Sequence, residues 1–505
     1  MQRDDDAVTN SHAIDSGELG RARLLIRDAG GEFSDSPPVA AQLAAIQRRL
    51  DEPLRVALAG TLKSGKSTLL NALVGEEIAP TDATECTKVV TWFTASAAPR
   101  IDVAHRFDGH NVRHTALPVL RSGGRLSLHL GGIPAEKIER LEVGWPSALL
   151  DHYTLIDTPG TSSNSRDVSE RTLAFLTPER GSCQADAVVY LMRSRHETDL
   201  ELLRQIQHHH SGGPLGVIGV LSRADETDGA GGASQLSGMD AARRRSAQLR
   251  TDPELGGLHR DFVAVSGLLA IRGQTLTQRE FAALSVLAGL PEGTLRSAML
   301  SPGRFTNAEL AVAGQDRALL LDRFGMIDIK ITVDLIRSGA RDAPALADAL
   351  IEHSGLDELR RLLDIRFGGR HDQLKAHSAL HSARTIIASQ PARRGERLLR
   401  AIDRELAGSS VIAELQVLAG LADLPLPEPT AAALDQMLGG RGTTPHARLG
   451  LPPDATAAQL WAAAMHALAY WHTQLAEPLL DHSTVRAYRA AVRGCEEIIA
   501  AQSAP

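Results

Sequence analysis

Eight consecutive residues, Gly60-Thr61-Leu62-Lys63-Ser64-Gly65-Lys66-Ser67, carry the densest chemistry in the chain. Glycines let successive backbone N–H groups turn toward one anion, and a helix that starts there adds the positive end of its dipole. Gly60, Ser64 and Gly65 would form that cradle around a polyphosphate. Lys66 would reach the β- and γ-phosphates and the Ser67 hydroxyl would ligate Mg2+. Thr68 offers its N–H and hydroxyl to the α-phosphate. The flanks suit the motif: "LRVALAG" reads as a buried strand and "STLLNALVG" as a helix. Lys63 is a second lysine inside the same loop, in a chain with only six lysines.

Further candidates follow at the ends of other apolar runs. "YTLI" leads into Asp157-Thr158-Pro159-Gly160, where Asp157 can hold the water shell of a magnesium ion and Gly160 can bring its N–H to the γ-phosphate. "GVIGVL" leads into Ser222-Arg223-Ala224-Asp225. There Asp225 can accept the N1–H and N2–H2 donors of guanine, while the Arg223 stem lies against the base. Adenine offers no such pair and would leave the carboxylate desolvated and unpaired. Ser222 and Arg223 depart from the commonest letters of this motif, so it does not by itself exclude ATP. Val265-Ser266-Gly267 closes the next strand and resembles the turn whose backbone N–H meets the guanine O6. Of Thr81, Thr84 and Thr87, we select Thr87, directly before "KVVTWF", as the hydroxyl that covers Mg2+ and the γ-phosphate.

These residues need a sheet to hold them. "RVALAG", "KVVTWFTA", "YTLID", "DAVVYLM", "GVIGVLS" and "DFVAVS" alternate with helical stretches, and several are apolar on both faces. That pattern predicts a mainly parallel α/β sheet with helices on both sides over residues 53–270. Residues 1–52 are expected to form N-terminal helices, with Val39, Leu43, Ile46 and Leu50 on one face. Residues 271–505 read as an all-helical bundle or trunk, and the N-terminal helices are expected to pack on it. Ser354 and Asp357 have capping-box spacing before Leu356, Leu359, Leu363 and Phe367. Thr456 and Gln459 repeat it before a seam of Trp461, Ala464, Leu468, Trp471 and Leu475. The segment Asp225 to Gly238 reads as a loop.

Composition narrows the function. The chain of 505 residues is too long for one core, and its net charge of −7 with few lysines argues against a nucleic-acid partner. Three scattered cysteines fit reduced thiols in a cytoplasm. The acidic N-terminus is no secretory signal, and no run is long enough to span a bilayer. His208, His209 and His210 are consecutive, so they diverge on a helix and do not converge on one metal ion. Cys86 reads as a passive thiol. "IIASQPARRGER" and "LAGLADLPLPEP" place Ile386 and Ile387, or Leu424 and Leu426, at turns that could touch an anionic membrane. An ordinary interhelical turn is the simpler reading of both.

Taken together, "AGTLKSGKSTLLNALVGEEIAPTDATECTKVVTWF", "LIDTPGTSS", "GVLSRADE", "FVAVSGLLA" and "DELRRLLDIRFGGRHDQLKAHSAL" resemble bacterial dynamin-like proteins, specifically the isoniazid-inducible group of mycobacteria. The resemblance implies a GTPase domain joined to a helical bundle and trunk. It further implies turnover of GTP to GDP with Mg2+, self-association through the GTPase domain and work beside a longer dynamin-like relative. It also implies peripheral remodelling of anionic membranes at the inner face of the plasma membrane. Two departures stand out. Leu62 occupies a position where dynamins carry glutamine, and Thr161 follows the second motif where a glutamine could orient water. Lys63 is our candidate to replace them, its ammonium placed near the β–γ bridge where charge develops and where the family holds a monovalent cation. A nucleotide-dependent scaffold with weak hydrolysis is the alternative reading.

Overall fold

A computed structural model describes residues 17–80, 89–106, 112–122, 125–127, 132–134, 137–159, 184–194, 199–200, 203, 217–227, 236–250, 262–391, 394–421 and 424–503. Two helices come first, α1 (Glu18–Glu32) and α2 (Pro37–Arg49). The strands are β1 (Leu54–Gly60), β2 (Thr91–Ala95), β3 (Arg100–Arg106), β4 (Val112–Leu117), β5 (Leu120–Ser122), β6 (Arg125–Ser127), β7 (Ile138–Trp145), β8 (Tyr153–Asp157), β9 (Ala187–Met192), β10 (Val217–Ser222) and β11 (Phe262–Val265). Helices α3 (Lys66–Val74), α4 (Ala148–His152) and α5 (Leu236–Leu249) lie between them.

Nine strands form one sheet in the order β11-β10-β9-β1-β8-β2-β7-β3-β4. β8, β1, β9, β10 and β11 run parallel. Every expected strand is present, but the sheet extends further than expected. β2 is antiparallel to β8 and parallel to β7, and β3 and β4 add antiparallel pairs at the far edge. β1 sends Leu54, Val56 and Leu58 to one core with Leu69, Leu70 and Leu73 of α3. Its Ala57 and Ala59 enter a second core with Met239 and Ala242 of α5. A central strand covered on both faces has no need of polar alternation, which is why it reads as one apolar run.

Beyond β11 the described residues are helical: α6 (Gly267–Gln274), α7 (Gln278–Ala288), α8 (Glu292–Ala298), α9 (Pro302–Asn307), α10 (Gly314–Arg337), α11 (Ala343–Ser354), α12 (Leu356–Arg366), α13 (His371–Ala388), α14 (Glu396–Gly408), α15 (Ser410–Gly420), α16 (Glu428–Met437), α17 (Pro445–Leu449), α18 (Ala457–Leu475) and α19 (His482–Ser503). Val39, Leu43, Ile46 and Leu50 meet Ala376, Ala379, Leu380 and Ala383 of α13, so the N-terminal helices share a core with the later ones.

Two expectations about the helices need correction. Ser354 is the last residue of α11 and no cap of α12: Gly355, at φ 78°, stands between them. The Ser354 hydroxyl bonds the Ile351 carbonyl at 2.6 Å and accepts from the Leu356 N–H at 3.1 Å. Leu356, Leu359, Leu363 and Phe367 are nonetheless buried together. The second capping box forms as expected, with Thr456 and Gln459 bonding reciprocally. However, Trp461 is 44% exposed, and Leu460, Ala464 and Trp471 make the buried stripe. The two apolar turns follow the simpler reading and face inward. Ile386 and Ile387 are buried, Leu424 and Leu426 pack on the sheet-side core, and Arg394 pairs with Asp35 over the Phe33 ring. No helix among the described residues is long and apolar enough to cross a membrane.

Candidate guanine-nucleotide site

All the motif residues that the structure describes lie at the carboxyl ends of the parallel strands, on both sides of β1, where α/β sheets place their ligands. Asp157 is level with Leu58, Gly60 with Leu191, and Ser222 with Val265. Gly60 is required by close approach: at φ 147°, a Cβ there would lie 2.2 Å from the Leu191 carbonyl oxygen. Gly65, at φ 91°, caps α3 in a left-handed conformation that a side chain would strain. The loop thus delivers its amides and the start of α3 to one point.

Lys66 is 7% exposed, with its ammonium folded onto the loop, 3.0 Å from the Gly60 carbonyl and 3.1 Å from that of Thr61. Burial lowers its pKa, against the pull of Asp157 and Asp199. The Ser67 hydroxyl donates to Asp157 Oδ2 at 2.6 Å, bringing the two expected metal ligands together. Asp157 Oδ1 is buried and has no hydrogen-bond partner among the described residues. Burial raises the pKa of this carboxyl, while Lys66 and Ser67 oppose the shift. Thr158, which carried no role in the sequence reading, anchors the turn by donating its hydroxyl to the Leu58 carbonyl at 2.8 Å. Thr87 and Gly160 lie outside the described residues, as do Thr81, Thr84, Cys86, Thr161, Arg393 and the three consecutive histidines.

The second pole of the site is the turn after β10. Ser222 is buried and donates to the Met192 carbonyl at 3.1 Å, so it braces the strand end. Arg223 takes a left-handed backbone, φ 51°, and its guanidinium pairs with Glu226 at 2.9 Å. Glu226 also holds Arg193 from the end of β9 at 3.1 Å. Asp225 is buried, and burial raises its pKa while a hydrogen bond from Ser266 pulls it down. Ser266 is the N-cap of α6, accepting from the Leu269 N–H. Its own N–H donates to the Ser354 carbonyl at 2.9 Å, which leaves the Gly267 amide as the donor of this turn. Gly267 is needed for close packing, since a Cβ would sit 3.1 Å from the Leu69 nitrogen of α3.

Lys63 is exposed in a left-handed backbone, φ 61°, without a hydrogen bond or ion pair among the described residues. Leu62 beside it is 54% exposed. Leu62 borders a cleft of about 490 Å³ lined also by Arg193, Asp199, Arg223 and Arg245. Asp199, another residue outside the sequence reading, is buried and accepts from the Tyr190 hydroxyl at 3.0 Å. Nothing local marks it, because its partner is on β9 and Lys66 is on α3. Glu226 follows the Asp225 motif directly, and that adjacency was a usable signal.

Comparison with known proteins gives this arrangement a family. Residues 56–224 match the dynamin family profile. The chain is 44% identical over 470 residues to the isoniazid-induced protein IniC of Mycobacterium tuberculosis, covering 92% of this chain and 93% of that protein. The isoniazid-induced protein IniA of the same organism is 31% identical over 241 residues, 47% of this chain and 34% of IniA. A solved bacterial dynamin, from an oligomerised pair described as sensing and tethering membranes, aligns at 14% identity and a TM-score of 0.31 over 83% of this chain and 78% of its own. The fold and the site define a dynamin-type GTPase domain with a large helical part. The chain belongs to the dynamin family, as a bacterial dynamin-like protein similar to IniC.

Proposed function

We propose that this protein binds GTP with Mg2+, hydrolyses it to GDP and phosphate, and uses the cycle to control self-association and peripheral remodelling of anionic membranes. The observation that carries the proposal is the convergence of Lys66, Ser67 and Asp157 at one end of the site and Asp225, Ser266 and Gly267 at the other. Among the described residues Asp157 keeps one buried oxygen without a partner beside the Ser67 hydroxyl, a donor set that would suit a magnesium ion shared with phosphate oxygens. Such an ion would neutralise charge on the β- and γ-phosphates. Within the chain, Lys66 exchanges its loop carbonyls for phosphate oxygens, and Gly60, Ser64, Gly65 and Thr68 present amides. Gly160 and Thr87 complete the γ-phosphate side. Asp225 orients guanine, with Ser222 bracing the turn and Arg223 lying along the base.

Hydrolysis is expected to be slow in the isolated chain, because Leu62 presents no hydrogen-bonding group and is exposed beside Lys63. That exposure favours the second reading, a nucleotide-dependent partner that regulates another dynamin-like protein. Both readings divide the chain into 1–52, 53–270 and 271–505 and place it at the cytoplasmic face of a membrane. IniA, a protein of which the matched segment covers 34%, indicates the kind of longer relative that would serve as partner. Phosphate release from GTP, measured with and without anionic vesicles across protein concentrations, tests the proposal. Turnover that rises with concentration and vanishes in Lys66→Ala supports a self-associating GTPase; flat, negligible turnover supports the regulatory reading.

A further inference from the structure

Helix α10 packs against the guanine turn. Its Asp328 lies within electrostatic reach of Asp225 and Glu226 on that turn and of Arg272 on α6. Asp328 comes from the helical half, outside the stretch that matches the family profile. It is 1% exposed, and neither carboxyl oxygen has a hydrogen-bond partner among the described residues. Its neighbours on α10 anchor it there, since Ile327 and Ile331 pack in the same core as Ala224 and Leu269. Three residues before it, Gly325 breaks the helix with φ 72° and ψ 175°, a backbone region open to glycine alone. The cation among these groups, Arg272, is buried and already paired with Glu77 at 3.3 Å.

We propose that Asp328 is a positioning residue for guanine recognition, a carboxyl supplied by the helical half whose neutral form lets the turn hold a negative Asp225 in place. The proposal rests on the guanine reading of the site. A buried carboxylate with no hydrogen bond is costly, and a protonated one far less so. Burial first, then the negative Asp225, hold the Asp328 proton well above the ordinary carboxyl range. In the arrangement that reads guanine, Asp225 carries the negative charge and Asp328 carries the proton. When Asp328 ionises, a second negative charge lies beside the first. The turn then moves off α10 and carries the Asp225 carboxylate away from the place where it accepts N1–H and N2–H2. Helix position at the Gly325 break and guanine affinity are thereby linked through one side chain. Direct contact with the nucleotide is not involved.

The test compares the full chain with Asp328→Asn, which keeps the shape and removes the ionisation. Dissociation constants for a fluorescent GDP are measured from about pH 5.5 to 9, and the ratio of parent to variant is taken at each pH, so that titration of guanine itself cancels. The ratio is expected to lie near one at the acid end and to grow to about fivefold weaker binding by the parent at the alkaline end. The variant is also expected to melt higher at alkaline pH. A ratio that is the same at every pH overturns the proposal, because a merely structural role shifts affinity by one constant factor. Should Asp328→Asn fail to fold, Asp328→Ser serves the same comparison. If the parent binds no guanine nucleotide at any pH, the guanine reading itself falls, and this proposal with it.

Discussion

Arg49 and Asp186 form a buried ion pair that ties α2 to the start of β9. Asp186 is 2% exposed and also accepts from the Arg55 N–H at 2.9 Å, while Arg49 reaches Ser378 of α13 at 3.2 Å. Arg49→Met keeps much of the side-chain bulk and leaves Asp186 with the Arg55 N–H and the field of Lys375. Breaking a buried pair from one side costs about 3–5 kcal/mol, and the remaining partners place this case near 3. Removing both charges with Asp186→Leu leaves one backbone N–H unpaired, a cost of about 1 kcal/mol. The double variant is therefore expected to be about 2 kcal/mol more stable than Arg49→Met alone, so the cycle is not additive. Urea unfolding followed by Trp92 and Trp145, both buried in the sheet, reads the change. With a slope of about 3 kcal/mol per molar, the Arg49→Met midpoint falls by about 1 M. A single variant within about 1 kcal/mol of the parent, with an additive cycle, would refute the claim that this pair couples the N-terminal helices to the sheet.

Ser266→Ala removes both the α6 cap and the hydroxyl that donates to Asp225; guanine-nucleotide affinity should fall about tenfold and stability by about 1 kcal/mol. Fluorescent GDP titration and thermal melting check the two effects separately. Lys63→Gly relieves a left-handed backbone and should stabilise the loop by about 1 kcal/mol, while turnover at saturating GTP drops about tenfold if the ammonium faces the β–γ bridge. Unchanged turnover in that variant would leave Lys63 as a solvent-facing residue. His353 and His381 both have pKa values held below the usual imidazole value, chiefly by burial. Their unfolded forms take up protons as pH falls through about 6.5 while the folded rings resist. The stability they contribute is therefore full above that value and is lost on further acidification. Compared with a His353→Gln/His381→Gln variant, the parent should lose more melting temperature between about pH 7.5 and 5.5.

The candidate nucleotide site was legible because its chemistry is local. Gly60 through Ser67 must be contiguous to wrap an anion, and Asp157 and Asp225 each end an apolar strand. The central strands were legible for the same reason that buries them on both faces. What escaped notice depends on distance in sequence. β3, β4 and β7 lie at the extended edge, where the buried Ile101, Val103 and Val143 stand beside half-buried Asp102 and Glu142 in short stretches without a long apolar run. Ser354 and Asp357 have the spacing of a cap, but the left-handed Gly355 ends one helix and starts the next without side-chain help. Asp199 and Asp328 draw their meaning from β9 and from the turn after β10, so no motif could reveal either. The use of the Ser266 amide by Ser354 is likewise visible only once α11 lies against the end of β11.

The central claim is that a guanine triphosphate binds where β1 gives way to α3, with its base on Asp225. Calorimetric titration of the whole chain with GTP and with ATP in the presence of Mg2+ tests it most directly. The expected result is one GTP per chain, no detectable heat from ATP, and loss of GTP binding by about a hundredfold or more in Lys66→Ala. GTP giving no heat, or Lys66→Ala binding it as tightly as the parent, would contradict the account.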